Sequence, residues 1–188
     1  MRVALKREVG AALPVPPPVR LVPCNTEIEE RIEQFCLALG KLSAQTFVAA
    51  SCSDAAEYVH QLVGDKPAIA ADSALLKECG IVYPAIPTDK AEVGITGTDY
   101  GLADTGTLVT LACSDPRLFS LLPPLHIALL KRDRLLSGLD ELLLILSEPA
   151  LHTSSMVLIT GPSRTGDIEQ ILVRGVHGPG ELHAVIVP

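Results

Sequence analysis

From residue 26 onward the chain alternates between two hydrophobic periods. In TEIEERIEQFCLALG (26–40), the apolar residues Ile28, Ile32, Phe35 and Leu39 recur every three or four positions, which places them on one helical face. Thr26 and Glu29 have capping-box spacing at its start, and Gly40 can close its end. QTFVAA (45–50) then reads as a strand, and DAAEYVHQLVG (54–64) as a helix with Asp54 and Glu57 in its first turn. The strand PAIAA (67–71), the short helix DSALLKECG (72–80) and the strand IVYPA (81–85) continue the alternation. AEVGIT (91–96) and GTLVTLA (106–112) predict strands on either side of a short glycine-bounded helix over TDYGLAD (98–104). A strand LHIALLK (125–131), a helix SGLDELLLILS (137–147), a strand SSMVLIT (154–160) and a closing strand ELHAVIV (181–187) complete the series.

Strands interleaved with helices predict an α/β fold with a largely parallel sheet flanked by helices. Ahead of this unit, ALKREVGAAL (4–13) has the makings of a short helix, and PVPPPVR (14–20) must run extended because proline lacks an amide donor and restricts its predecessor. The expected organisation is therefore an N-terminal helix and proline-rich arm over residues 1–22 and a single α/β domain over 23–188.

Composition narrows the picture. Hydrophobic residues make up 48% of the 188 residues but aromatic ones only 3%, so the core is aliphatic, as suits covered parallel strands. A formal charge of −7 argues against a broad nucleic-acid surface, though not against a local basic pocket. Cys24, Cys36, Cys52, Cys79 and Cys113 contain no C-x-x-C and no C-x-x-H, so neither a zinc site nor an iron–sulfur cluster held by this chain alone is expected. Cys36 and Cys113 lie in apolar segments and read as core thiols. With no apolar signal core and no membrane-spanning run, a cytoplasmic location is expected.

Three polar stretches carry candidate chemistry, and in open α/β sheets ligands gather beyond the carboxyl ends of strands. In GITGTDYGLADTGTL, Gly94, Gly97, Gly101 and Gly106 permit close backbone approach, while Thr96, Thr98, Asp99, Asp104, Thr105 and Thr107 supply oxygens. Such turns cradle anions through backbone N–H groups, or are simply tight turns with Asx and Thr caps. In ITGPSRTGDIE, Ser163 or Thr165 can cap a helix starting near Gly166, Arg164 offers a planar donor fork, and Asp167 and Glu169 can hold the arginine or complement the helix dipole. The plainer alternative is a surface ion pair. In RGVHGPGELH, His177 sits in a glycine-rich turn as a candidate base, and His183 opens the last strand. His126 follows two prolines and reads as structural.

Taken together, GITGTDYGLADTGTLV, LLPPLHIALL and GPSRTGDIEQILVRGVHGPGELHAVIV resemble the lactate-utilisation protein C family, whose module is called the LUD domain. Asp104 stands where that family commonly has glutamate and Gly166 where it commonly has alanine. The resemblance implies a fold like the ribose-phosphate isomerase, glucosamine-phosphate deaminase and CoA-transferase group. It also implies a role in an iron–sulfur complex that oxidises L-lactate to pyruvate, with the clusters on companion subunits. The expectation is then a small-anion pocket in which Arg164 pairs with a carboxylate, Thr105, Thr107 and the backbone around Gly106 orient it, and His177 is the base. A stand-alone enzyme acting on a sugar phosphate or CoA ester, and a non-catalytic ligand-binding scaffold, are the rival readings.

Overall fold

A computed structural model describes residue 21 and residues 26–112, 117–148, 151, 153–166 and 172–188. The expected N-terminal helix and nearly all of the arm, together with Cys24, Cys113, His152, Asp167 and Glu169, lie outside the described residues.

The centre is a five-stranded parallel sheet of β1 (Gln45–Val48), β2 (Ala68–Ala70), β3 (Val93–Thr98), β6 (Leu125–Lys131) and β11 (Glu181–Val187), in the order β1-β11-β6-β3-β2. Its middle strands are nearly continuous apolar runs because both faces are covered. Val93, Ile95, Leu125, Ile127, Leu129, Val185 and Val187 pack on one face against α2 (Cys52–Val63) and α3 (Ala74–Glu78). On the other face, Ala128, Leu130, Leu182, Ala184 and Ile186 meet Phe35 and Leu39 of α1 (Ile28–Lys41) and Ala103 and Leu108.

A second sheet lies over that face. Its order is β7-β4-β5-β8, made of β4 (Tyr100–Leu102), β5 (Thr107–Leu111), β7 (Leu135–Leu136) and β8 (Met156–Ile159). Its outer side is capped by Leu142 and Leu146, at α4 (Leu139–Ile145) and its end. Tyr100 and Leu102 face this outer cluster, and Gly101 lies against Leu130 and Leu135 on the other side. Within TDYGLAD, pairing with β5 and β7 makes Tyr100–Leu102 a strand rather than part of the expected helix, and β4 and β5 form a hairpin through Ala103–Gly106.

Other expectations shift for local reasons. IVYPA is irregular rather than a strand: Ile81 is buried, but Pro84 supplies no amide to a ladder. Helix α1 begins at Ile28 after Glu27 without a side-chain cap, and the Thr26 carbonyl instead accepts from Arg31 Nε at 3.0 Å. It ends at Lys41 rather than Gly40, with Ser43 in the left-handed region at φ 66°. Helix α2 starts at Cys52, two residues before the predicted Asp54. Ser51 Oγ accepts from the Asp54 amide at 3.1 Å, and the Asp54 carboxylate accepts from the Ala50 amide at 2.8 Å.

Candidate functional site

The three polar stretches are joined by hydrogen bonds at the amino ends of β6 and β11. Thr107 Oγ1, at the start of β5, lies 2.8 Å from Thr160 Oγ1, just past β8. The Ser163 amide donates to the Pro179 carbonyl at 2.8 Å, and the Gly175 amide to the Ser163 carbonyl at 3.1 Å. Beside this junction opens a cleft of about 760 Å3, lined chiefly by apolar residues such as Leu118, Leu121, Val157 and Ile159, with Arg117, Ser120, Thr160, Ser163 and His177 as its polar groups. Arg117 Nη1 donates to Ser155 Oγ at 3.0 Å.

Behind the cleft runs a row of hydroxyls with a defined polarity. Thr105 Oγ1 donates to Asp104 Oδ1 at 3.1 Å, and Thr107 Oγ1 donates to Thr105 Oγ1 at 2.8 Å. A threonine has one hydroxyl proton, so the remaining bond must be donated by Thr160 to Thr107. Thr160, at the cleft wall, thus has its proton committed inward and is left with acceptor capacity. Asp104 itself is exposed and lines a separate pocket of about 320 Å3 with Thr26, Gln34, Ser137 and Gly138.

The remaining predicted residues lie elsewhere. Residues 164–166 do not start a helix: they form β9 (Arg164–Gly166), paired antiparallel with β10 (Leu172–Arg174). Opposite Val173, Thr165 takes the extended backbone that β-branched residues favour, so residues 164–166 themselves present no helix start. Arg164 does not line the cleft. Its guanidinium donates to the Leu42 carbonyl and to Ser43 Oγ, the latter at 3.1 Å, at the carboxyl end of α1, where a cation complements the helix dipole. Gly106 does not face the cleft either, because Leu39 of α1 abuts it, and the carbonyl of Phe119 similarly occupies the space beside Gly94. The close approaches that these glycines permit are therefore made by the chain itself.

Thr96 is buried and its Oγ1 lies 2.8 Å from His126 Nε2. His126 is fully enclosed, its Nδ1 has no hydrogen-bond partner among the described residues, and burial pushes its pKa down to about 4. Asp99 accepts from the Leu111 amide at 2.7 Å and so ties β3's end to β5. His183 is held between Tyr58 Oη at 2.8 Å and Glu181 Oε1 at 2.9 Å. His177 lies in the turn between β10 and β11, ahead of the amino end of a central strand, so the cleft stands at the opposite end of the parallel sheet from the carboxyl edge where a ligand was expected.

Thr160 and Arg117 were not singled out in the sequence, although Thr160 lies within one of the polar stretches. Their signal is positional: a hydroxyl directly after a strand, and a cation opening the short helical turn over Arg117–Ser120 ahead of β6. A second basic group, also unforeseen, gathers at the carboxyl edge, where Arg31, Lys131 and Arg132 line a pocket of about 560 Å3. These cations are paired within the chain, Arg31 with Glu141 at 3.2 Å, Lys131 with Glu78 at 2.8 Å and Arg132 with Glu29. Among the described residues no cluster of three or more His, Cys, Asp or Glu could hold a metal ion, and no helix is long and apolar enough to cross a membrane.

Comparison with known proteins bears on the family and the fold. A protein named Lactate utilization protein C from Anoxybacillus flavithermus is 36% identical over 101 residues, which cover 53% of this chain and 45% of that one. Its counterpart from Halalkalibacterium halodurans is 40% identical over 96 residues, 48% of this chain and 42% of the relative. The chain thus matches a little under half the length of these two relatives. The Deinococcus radiodurans protein of the same name is 25% identical over 179 residues, 93% of this chain and 84% of that one. In three dimensions the chain is similar to a DUF162 family protein from Deinococcus radiodurans, with a TM-score of 0.65 at 19% identity, covering 87% of this chain and 99% of the other. A family model described as the LUD domain matches residues 88–187, the segment that carries the second sheet, the hydroxyl row and the cleft. This chain belongs to the LUD domain family.

Proposed function

We propose that this chain is a cytoplasmic subunit of an iron–sulfur complex that oxidises L-lactate to pyruvate, and that it binds the small hydroxy-acid anion in the cleft beside His177. The polarity of the hydroxyl row carries this reading. With its proton donated to Thr107, Thr160 is left as an acceptor, and the hydroxyl of a 2-hydroxy acid is a matching donor. Arg117 supplies a cation for the carboxylate, and the apolar wall of Leu121 and Ile159 suits a methyl group. The substrate hydroxyl has one proton, which Thr160 accepts on binding and which passes to His177, the base in the cleft, when the hydroxyl turns towards the imidazole. Asp104, Thr105 and Thr107 orient Thr160, and Arg164 holds β9 against the end of α1. The names of the relatives support lactate as the substrate class. Oxidation of lactate to pyruvate releases two electrons and two protons: companion subunits would supply iron–sulfur clusters as the electron acceptor, His177 would take the hydroxyl proton, and the Cα hydrogen would leave as the second proton to water.

The test is growth on lactate in a strain lacking the protein, complemented with wild type, Thr160→Val or His177→Gln, beside lactate titrations of the purified chain. Thr160→Val is expected to weaken lactate binding by about 2- to 10-fold, the worth of one hydrogen bond. His177→Gln is expected to abolish growth on lactate but not on pyruvate. Normal lactate growth with both variants would overturn the reading. Turnover of a sugar phosphate or CoA ester by the isolated chain would replace it with that of a stand-alone enzyme.

A further inference from the structure

Cys52 and Cys79, unremarkable in sequence, face each other across two crossovers. Cys52 is the first residue of α2, and Cys79 directly follows α3. Their sulfurs lie 2.9 Å apart, with the Cys79 thiol donating to Cys52 Sγ. Both are free thiols, and they differ in access: Cys79 is buried at 6% exposure, whereas Cys52 is partly exposed. Only about 0.9 Å of further approach separates this contact from a covalent bond of about 2.05 Å.

We propose that Cys52 and Cys79 form a reversible dithiol–disulfide site that reacts with small-molecule disulfides, with Cys52 as the entry sulfur and Cys79 as the resolving one. Cys52, as thiolate, attacks one sulfur of an incoming disulfide. A Cys52–S–S–R bond forms, the original S–S bond breaks, and one R–S− leaves to take a proton. Cys79 then loses its proton and attacks Cys52 Sγ, expelling the second R–S−, which is protonated in turn. The two protein thiols give up two electrons and two protons, and the small disulfide becomes two thiols.

The division of labour follows from the surroundings. Burial, with the contact to Cys52 next, pushes the Cys79 thiol up to about 12, so at neutral pH Cys79 is the protonated partner of the pair. The second step is intramolecular between sulfurs already in contact, so the mixed disulfide is short-lived. The device is mechanically connected as well. Glu78 precedes Cys79 and holds Lys131 at the end of β6, and both line a pocket of about 370 Å3 with Thr98 and Tyr100. Closing the bond draws that wall towards α2. In a reducing compartment such a pair rests as thiols and closes only when the thiol–disulfide balance shifts.

The experiment equilibrates the full chain with mixtures of reduced and oxidised glutathione, then alkylates free thiols and maps the peptides by mass spectrometry. The expected result is paired loss of Cys52 and Cys79 alkylation, a linked 52–79 peptide, and full recovery with dithiothreitol. Cys79→Ser is expected to accumulate glutathione on Cys52, and Cys52→Ser to leave Cys79 unmodified. Stable glutathione on Cys52 of the wild type would overturn the proposal. Linkage of either residue to another cysteine, or unchanged alkylation in fully oxidised glutathione, would overturn it as well.

Discussion

Replacing Gly106 with alanine separates a ligand-approach role for the glycine-rich hairpin from an internal packing role. Gly106 sits at φ +65°, and a Cβ there would stand 2.5 Å from the Leu39 amide nitrogen and 2.9 Å from its Cα. Those are backbone atoms near the end of a 14-residue helix whose Leu39 side chain is fully buried, so they cannot swing aside. Two costs add. A left-handed backbone at a residue with a Cβ costs about 1–2 kcal/mol, and forcing extra volume into packed structure typically costs about 1–3 kcal/mol. Gly106→Ala is therefore expected to lose about 2–5 kcal/mol. Gly80 is the control: its φ is +71° where the Ile81 amide donates to the Leu76 carbonyl to close α3, and its added Cβ meets nothing within 4 Å, so Gly80→Ala carries the first cost alone.

For a domain of this size each kcal/mol shifts the melting temperature by about 2–4 °C. Calorimetric melts are expected to show a drop of about 4–20 °C for Gly106→Ala and about 2–8 °C for Gly80→Ala. The difference between the two isolates the contact with α1. Equal drops would refute the packing argument. A wild-type melt for Gly106→Ala combined with lost lactate growth would return Gly106 to the role of admitting a ligand.

Two further perturbations follow from single side chains. His126 is neutral in the fold with its pKa pushed down to about 4, while the unfolded chain titrates it near 6.5. Below about pH 6.5 the unfolded state binds the extra proton, so this stability is present above that pH and lost as pH falls towards 4. The loss is roughly 2.5 kcal/mol between neutral pH and about pH 4.5, and denaturant melts of wild type against His126→Gln check it: parallel pH profiles would refute it. Arg164→Gln removes a cation from the end of α1 and is expected to lower the melt by only about 1–4 °C with lactate growth retained. An unchanged melt with lost growth would instead give Arg164 to an anion.

Much of the fold was legible because parallel strands leave a strong mark. LHIALLK and ELHAVIV are buried on both faces, so they are apolar almost throughout and flanked by prolines or glycines. TDYGLAD was illegible for the opposite reason. Three strand residues cannot establish a period of two on their own, and what makes Tyr100–Leu102 a strand is the pairing with β5 and β7. The same holds for β9, since TG before two acids resembles a helix start until Leu172–Arg174, in the same chain but beyond the local window, supplies a ladder. At the site, the polar stretches announced themselves by composition, but their mutual contacts did not. Nothing in the spacing of Thr107 and Thr160, or of Cys52 and Cys79, indicates that each pair touches.

The carboxyl end of α1 explains how distant stretches reach one place. Leu39 receives the β4–β5 turn at Gly106, and Leu42 and Ser43 receive Arg164 from β9, while Arg174 from β10 donates to the same Ser43 hydroxyl at 3.2 Å. Thr107 then meets Thr160 because both stretches are anchored a few residues apart on one helix end. The arrangement needs a rigid helix end rather than long-range pairing between the loops themselves. It follows that substitutions around Ser43, whose hydroxyl accepts from Arg164 and Arg174, act on the hydroxyl row through the two anchors. Residues whose own side chains face the cleft, such as His177, act on the ligand without disturbing the anchors. The first group therefore alters the melt and binding together, the second binding alone.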